Sequence, residues 1–76
     1  MTELVEYLAR QLVDKPDEVR VESAERDGDL VLTLHVAPDE VGKVIGRNGR
    51  IARALRTVVR AASVRENRRV LLEIAG

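Results

Sequence analysis

The sequence predicts an α+β domain of two layers, in which helices cover one face of a three-stranded mixed sheet. Three observations support this fold class. Apolar residues recur at helical spacing near the N-terminus and again after position 50, but they alternate with polar residues between positions 18 and 37. Asp27-Gly28, a dipeptide typical of tight hairpins, divides the alternating region into two antiparallel strands. Two helical segments precede a last strand at 69–75, and a crossover of this kind joins parallel strands.

The first helix is predicted over residues 3–13. Leu4, Leu8 and Leu12 recur at every fourth position, with Val5 and Ala9 beside them, and this apolar face predicts an amphipathic helix. Thr2 is the expected N-cap, because its hydroxyl can accept a hydrogen bond from an amide of the first turn.

The two strands of the hairpin are predicted over residues 18–26 and 30–37. In the first strand, Val19 and Val21 are expected to face the core. In the second strand, alternation separates an apolar face from a more polar one. The apolar face comprises Leu30, Leu32, Leu34 and Val36, and the other face comprises Val31, Thr33 and His35.

Two helices are predicted on either side of a glycine-containing break. Residues 40–45 form a short helix that Asp39 is expected to cap, and residues 50–62 form a longer one. The inward-facing residues of these helices are Val41, Val44 and Ile45, then Ile51, Leu55, Val58, Val59 and Ala62. In the last strand they are Val70, Leu72 and Ile74.

Composition limits the class of protein. The 76 residues suit a single domain over residues 1–76, with no linker, repeat or low-complexity tract. Cysteine is absent and His35 is the only histidine, so we predict neither a metal site nor a cofactor. No apolar run approaches the ~18 residues that a membrane span needs, and the expected location is the cytoplasm.

The charges are distributed unequally, although the net charge is zero. Residues 1–42 contain 11 acidic and 4 basic side chains, whereas residues 43–76 contain 9 basic and 2 acidic ones. This asymmetry favours a polyanion as the partner of the second half. Pairing between the halves explains part of it, but helical periodicity leaves many arginines facing solvent.

Gly46-Arg47-Asn48-Gly49 is the motif with the clearest chemistry. Glycine permits backbone conformations that a β-carbon disfavours, and it lets a ligand approach the main chain. The helix after Gly49 begins with amides that have no partner within the helix, and such amides favour a phosphate. The motif lies between Val41 and Arg65, a stretch without an acidic residue.

The spacing alone leaves an alternative open. A Gly-x-x-Gly pattern also occurs by chance, in helix–helix turns whose arginines are simply solvated. Tyr7 is the only aromatic residue, so contacts with nucleic-acid bases would have to form without stacking platforms.

The stretch from Lys43 to Arg60, KVIGRNGRIARALRTVVR, resembles the signature of the KH domain. The whole chain is similar in length and element order, α-β-β-α-α-β, to the type II KH arrangement of the small bacterial single-KH proteins of the KhpA (YlqC) family. The resemblance implies binding of single-stranded RNA, with the Gly-x-x-Gly loop on the backbone of about four nucleotides. The bases would lie in an aliphatic groove between the loop-flanking helices and a sheet edge.

The resemblance also assigns residues by position. The backbone clamp comprises Gly46, Arg47, Asn48 and Gly49. The charged contacts comprise Lys43, Arg50 and Arg53. The residues that shape the groove comprise Val44, Ile45 and Ile51. The family further implies self-association or pairing with a larger KH-containing protein, and a role as an RNA chaperone or post-transcriptional regulator.

Two other classes of function were weighed. An enzyme is not predicted, because there is no cysteine or histidine pair, and Gly42-Lys43 lacks the preceding glycine of a nucleotide-binding loop. The second class is a protein-interaction (dimerisation) module with weak or no RNA binding. Its contact surface would be Val31 and Leu71, or an exposed part of Val58-Val59.

Overall fold

The computed structural model describes residues 1–76 and contains the predicted order of elements. The helices are α1 (Thr2–Arg10), α2 (Val41–Ile45) and α3 (Arg50–Ala62), and the strands are β1 (Arg20–Arg26), β2 (Asp29–His35) and β3 (Val70–Ala75). Short 3₁₀ turns occupy Pro16–Glu18, Pro38–Glu40, Arg47–Gly49 and Ser63–Glu66. The predicted α-β-β-α-α-β architecture is therefore confirmed.

The hairpin between β1 and β2 forms where the sequence predicts it. Asp27 and Gly28 both have positive φ angles, 53° and 86°, as a two-residue turn of type I′ requires. The turn fixes the antiparallel register in which Ser23 lies opposite Leu32. This register places the even-numbered leucines of β2 on the side of the helices.

The sheet is mixed, with β2 in the centre. β3 pairs with β2 in parallel, and Leu32 lies opposite Leu72. The intervening helices α2 and α3 form the crossover that a parallel pair needs. Leu32 and Leu34 of the central strand are fully buried, and together with Val5 and Val44 they form the centre of the core.

Helix α1 differs from its prediction in its boundaries, and only part of its predicted apolar face is buried. It begins at Thr2, which lies inside the helix rather than at the N-cap, and it ends at Arg10. The residues that pack on the sheet are Val5 and Ala9, both fully buried, whereas Leu4 is exposed. Small side chains at the contact let the helix lie close to the sheet, and the longer leucines extend to one side of it.

Helix α2 is also less buried than predicted. Val44 is fully buried, Val41 is half-buried, and Ile45 lies at the surface. Asp39 does not cap the helix, because its carboxylate pairs with the Lys15 ammonium at 3.0 Å.

Helix α3 has the predicted boundaries. Its buried residues are Ala52, Leu55 and Val59, while Val58 is 39% exposed although it was predicted to face inward. No helix in the chain is both long and apolar enough to cross a lipid bilayer.

Candidate functional site

The loop between α2 and α3 contains three residues with left-handed backbone conformations. They are Gly46, Asn48 and Gly49, with φ angles of 77°, 57° and 73°. Glycine adopts this region without strain, and asparagine is among the few other residues that tolerate it. The loop therefore reverses the chain between two helices within four residues, as the Gly-x-x-Gly spacing predicts.

The two glycines are needed for different reasons. A β-carbon on Gly46 would lie 2.6 Å from Cγ1 of Ile51, so the Ile51 side chain packs directly against the Gly46 backbone. A β-carbon on Gly49 would meet nothing within 4 Å, so only its φ angle favours glycine. The backbone at Gly49 is consequently open to a ligand, whereas the backbone at Gly46 is supported from below by Ile51.

The start of α3 has the properties of an anion site. Gly49 is the N-cap and has no side chain to accept a bond from the first amides of the helix. These amides and the helix dipole together favour a negatively charged group at this end. Arg47 and Asn48 are exposed at the tip of the loop, where a bound anion would meet them.

The cations of this chain fall into two groups. The lysines and the arginines outside the 47–65 segment each have a carboxylate within ion-pair distance. The arginines that lack one all lie in the loop, in α3 or in the turn after it. They are Arg47, Arg50, Arg53, Arg56, Arg60 and Arg65. One continuous stretch of the sequence, from Arg47 to Arg65, therefore holds the positive charge that is not neutralised inside the molecule.

Lys43 belongs to the first group, although the sequence predicts it as a contact for the strand. Its ammonium lies 2.5 Å from the Asp14 carboxylate and 3.2 Å from Oε2 of Glu40. Asp14 and Glu40 raise the pKa of Lys43 above its usual range. The expected contact between Lys43 and a phosphate stays a prediction.

The predicted aliphatic residues occupy three different environments. Val44 is fully buried, so its side chain belongs to the core rather than to a surface groove. Ile51 is half-buried beneath Gly46, and Ile45 is exposed beside the loop.

A narrow groove separates α3 from the free edge of β3. Its volume is about 100 Å³, and Arg56, Arg60 and Leu71 form part of its lining. Nε of Arg56 donates a hydrogen bond to the backbone oxygen of Leu72 at 3.4 Å, which orients the guanidinium along the groove. The sequence places Arg56 and Arg60 among the cations that follow the loop, but neither is among the predicted site residues. Their spacing from Arg53, at i+3 and i+7, is the signal that places them on this side of the helix.

A second, apolar groove lies on the opposite side of α3, against α1. It has a volume of about 380 Å³ and is formed largely by Leu8 of α1, by Leu12 in the turn after α1, and by Ile51, Ala54 and Val58 of α3. The sequence prediction treated Leu8, Leu12 and Val58 as core residues and therefore missed this surface. The signal for it is the width of the leucine stripe in α1, which exceeds what the sheet can cover.

The interaction surface predicted on the sheet is smaller in the structure than the sequence suggests. Val31 is only 2% exposed and therefore offers almost no surface to a partner. Leu71 and Val58 are exposed, whereas Val59 is buried. On the same outer face, Nε2 of His35 lies 2.9 Å from Oε1 of Glu22.

Comparison with known proteins yields similarity over nearly the whole chain. A family model described as "KhpA/KhpB, KH domain" matches residues 2–74. The "RNA-binding protein KhpA" of Clostridium acetobutylicum is 53% identical over 74 residues, which is 97% of this chain and 99% of that protein. The protein of the same name from Aquifex aeolicus is 49% identical over 97% of this chain and 94% of its own length.

Solved structures show the same fold. The crystal structure of Era in complex with MgGDPNP and nucleotides 1506-1542 of 16S ribosomal RNA matches with a TM-score of 0.62 and 21% identity. A structure of Aquifex aeolicus Era bound to GDP.AlF4- matches equally well. This chain spans only 28% of the Era chain, and at this identity the likeness concerns the fold alone.

Proposed function

The chain belongs to the KhpA/KhpB family of KH domains, and on this premise we propose that it binds single-stranded RNA through the loop between α2 and α3. Relatives with about half of their residues in common, including those from Clostridium acetobutylicum and Clostridium perfringens, have the name RNA-binding protein KhpA.

The main observation behind the proposal is that the ion-paired cations and the unpaired cations lie in different parts of the chain. Of the arginines without a carboxylate partner, Arg47 lies in the loop, and Arg50 and Arg53 lie in the first turn of α3, beside a backbone that is open at Gly49. An ordinary helix–helix turn needs neither feature. A chain of phosphates is a ligand that matches both, because it presents repeated negative charges and can approach a glycine backbone closely.

In the proposed complex, two phosphates lie at the loop, near the amides that begin α3 and near Arg47. Arg50 and Arg53 follow within one turn of α3 and neutralise the next part of the strand. The bases then point to the groove between α3 and β3, where Arg56 and Leu71 offer hydrogen-bond donors and apolar surface. The site binds and orients the strand, and the proposal contains no catalytic step.

Binding of a labelled single-stranded RNA, measured by fluorescence anisotropy at several salt concentrations, tests this function. With about 3–4 phosphate contacts, the logarithm of the binding constant is expected to fall against the logarithm of salt concentration with a slope of about −2 to −3. A flat response would show that the partner is not a nucleic acid. An RNA-chaperone or post-transcriptional role in the bacterial cytoplasm extends the proposal, and an annealing assay with two complementary RNAs tests the chaperone part.

We further propose that the apolar groove between α1 and α3 holds a second copy of the chain or the KH domain of a larger partner. The groove is large for a 76-residue protein, and the exposed Val58 lies at its rim. Light scattering with and without a short RNA separates this role from RNA binding. A dimeric mass that RNA does not change indicates two independent surfaces, and a monomeric mass under all conditions refutes the homodimer.

A further inference from the structure

Glu40 is the one charged or polar residue that the fold buries, with 3% of its surface exposed. Its carboxylate accepts two successive backbone amides, from Asp14 to Oε2 and from Lys15 to Oε1 at 2.9 Å. The Lys43 ammonium donates to Oε2 at 3.2 Å. The Asp14 amide, together with Lys43 and the Lys15 amide, lowers the pKa of Glu40 although burial acts in the opposite direction.

These bonds, here called the Glu40 contact, join two segments that are distant in sequence. Asp14 and Lys15 belong to the connection after α1, and they lie 26 and 25 residues from Glu40. The connection forms neither helix nor strand at these residues, so their amides lack a partner of that kind. An amide that loses contact with water without gaining an acceptor is unfavourable, and Glu40 supplies the acceptor for both of these part-buried bonds.

Helix α2 depends on contacts of this kind for its position. It has five residues, too few to be stable alone, and one of them is Gly42. Val44 is its single fully buried side chain. The half-buried Val41 also packs against the core, and the Glu40 contact adds a polar anchor at the N-terminus of the helix, whose C-terminus leads directly into Gly46.

Lys43 takes part in the Glu40 contact and does not face away from it. Its ammonium lies between the carboxylates of Asp14 and Glu40, and Lys15 pairs separately with Asp39. A phosphate that bound Lys43 would have to displace two carboxylates, one of them buried.

We propose that Glu40 is a positioning residue for the Gly-x-x-Gly loop, and that Lys43 acts with it by fixing α2 instead of contacting RNA. The inference rests on the proposed RNA-binding function and changes the role of one residue within it. Without the contact, α2 is held by Val44 and the half-buried Val41 alone, and the Gly46 end of the loop is less firmly placed above Ile51.

The salt dependence of RNA binding separates positioning from direct contact. Each lost phosphate contact lowers the steepness of the log–log plot by about 0.7 for a single strand, whereas loss of positioning weakens binding at an unchanged slope. The experiment compares the full-length chain with Lys43→Met, Glu40→Gln and Arg47→Gln, using a fluorescein-labelled ten-nucleotide RNA. Arg47→Gln is the matched control for a direct contact, because Arg47 is exposed and unpaired.

We expect the slope of Lys43→Met to equal that of the parent and the slope of Arg47→Gln to fall by about 0.7. Glu40→Gln should bind about tenfold more weakly at the parental slope, which is the loss expected when the binding-competent loop conformation falls to about one tenth of the population. Nuclear magnetic resonance spectra of free Glu40→Gln should show displaced amide signals for Arg47 and Asn48, besides faster exchange at Asp14 and Lys15.

Two results overturn the inference. A slope for Lys43→Met that falls as much as that of Arg47→Gln assigns Lys43 to a phosphate. Parental affinity in a folded Glu40→Gln shows that the contact serves stability alone. If Glu40→Gln does not fold, the slope of Lys43→Met decides. Failure of the proposed function gives a different result from failure of this inference, because the parent itself then does not bind the RNA.

Discussion

Replacing Arg47 and Asn48 by aspartate should strongly weaken RNA binding and leave the fold intact. Both side chains are exposed and neither forms an ion pair, so the core does not depend on them. Asn48 has φ 57°, a conformation that aspartate tolerates nearly as well as asparagine. Gly46 and Gly49 remain in place, so the loop keeps the backbone that the two helices require.

The magnitude follows from charge. One phosphate contact strengthens binding by about 0.7 log units when the salt concentration falls from about 1 M to about 0.1 M. Loss of the Arg47 contact therefore weakens binding at about 0.1 M salt by about 1 kcal/mol. Each new carboxylate about 5 Å from a phosphate adds about 0.8 kcal/mol of repulsion in water. The sum of about 2.5 kcal/mol corresponds to a loss of roughly 60-fold in affinity.

Arg65 and Asn67 provide a matched control. Arg65 is also unpaired, and Asn67 also has a left-handed backbone, with φ 58°. Their replacement by aspartate makes the same change in charge at the other end of α3, a helix of 13 residues. That helix is about 20 Å long, twice the Debye length at 0.1 M salt, so the control should lose less than about threefold.

Fluorescence anisotropy with one labelled single-stranded RNA, together with thermal melting of each variant, gives the comparison. Equal losses in the two double variants would refute the assignment, because binding would then depend on total charge rather than on the loop. Parental affinity in the Arg47 and Asn48 variant would refute it as well.

Three further predictions concern stability, pH and association. Gly46→Ala should lower the free energy of unfolding by about 2–5 kcal/mol, because the new β-carbon meets Ile51 and the φ angle is positive. Gly49→Ala should lower it by only about 1–2 kcal/mol, because only the φ angle is unfavourable there. Urea unfolding measures both values, and equal losses would show that Ile51 can move aside. Because the pKa of Glu40 lies below its ordinary value of 4.5, the contribution of Glu40 to stability is present above pH 4.5 and lost as the pH falls through the lower value. The stability difference between the parent and Glu40→Gln should therefore shrink on acidification, and a constant difference would contradict the assignment. Val58→Asp should give a monomeric mass of 8.5 kDa in light scattering with RNA binding retained, whereas an unchanged dimeric mass would exclude the α1–α3 groove as the interface.

The sequence predicts most of the fold because several local signals agree. Asp27-Gly28 fixes the hairpin and its register, and the alternation of Leu30, Leu32 and Leu34 identifies the buried face of β2. The boundaries of α3 follow from Gly49 before it and from the end of its apolar period. Signals of this kind operate over a few residues, so they need no knowledge of the tertiary structure.

The sequence-based predictions are wrong where tertiary packing determines which apolar side chains are buried. Leu4 and Val5 are both apolar, and only the distance between α1 and the sheet places Val5 rather than Leu4 in the core. Val58 is apolar and at helical spacing, but α1 leaves its side chain at the rim of a groove.

In the candidate site, too, features with a local sequence signal could be predicted, whereas contacts between distant residues could not. Gly46, Asn48 and Gly49 have the conformations that their residue types favour, so the loop could be predicted. The burial of Glu40 and the pairing of Lys43 depend on Asp14, which is more than 20 residues away in sequence. Such a contact has no local signal, and the sequence therefore suggested a free Lys43.

A nuclear magnetic resonance titration of the folded domain with single-stranded RNA at low salt tests the central claim most directly. The account predicts that the amide signals of Arg47, Asn48, Gly49 and Arg50 move first and furthest, while those of the β1–β2 hairpin stay in place. Signals at the loop that remain unchanged while other surfaces respond would contradict it.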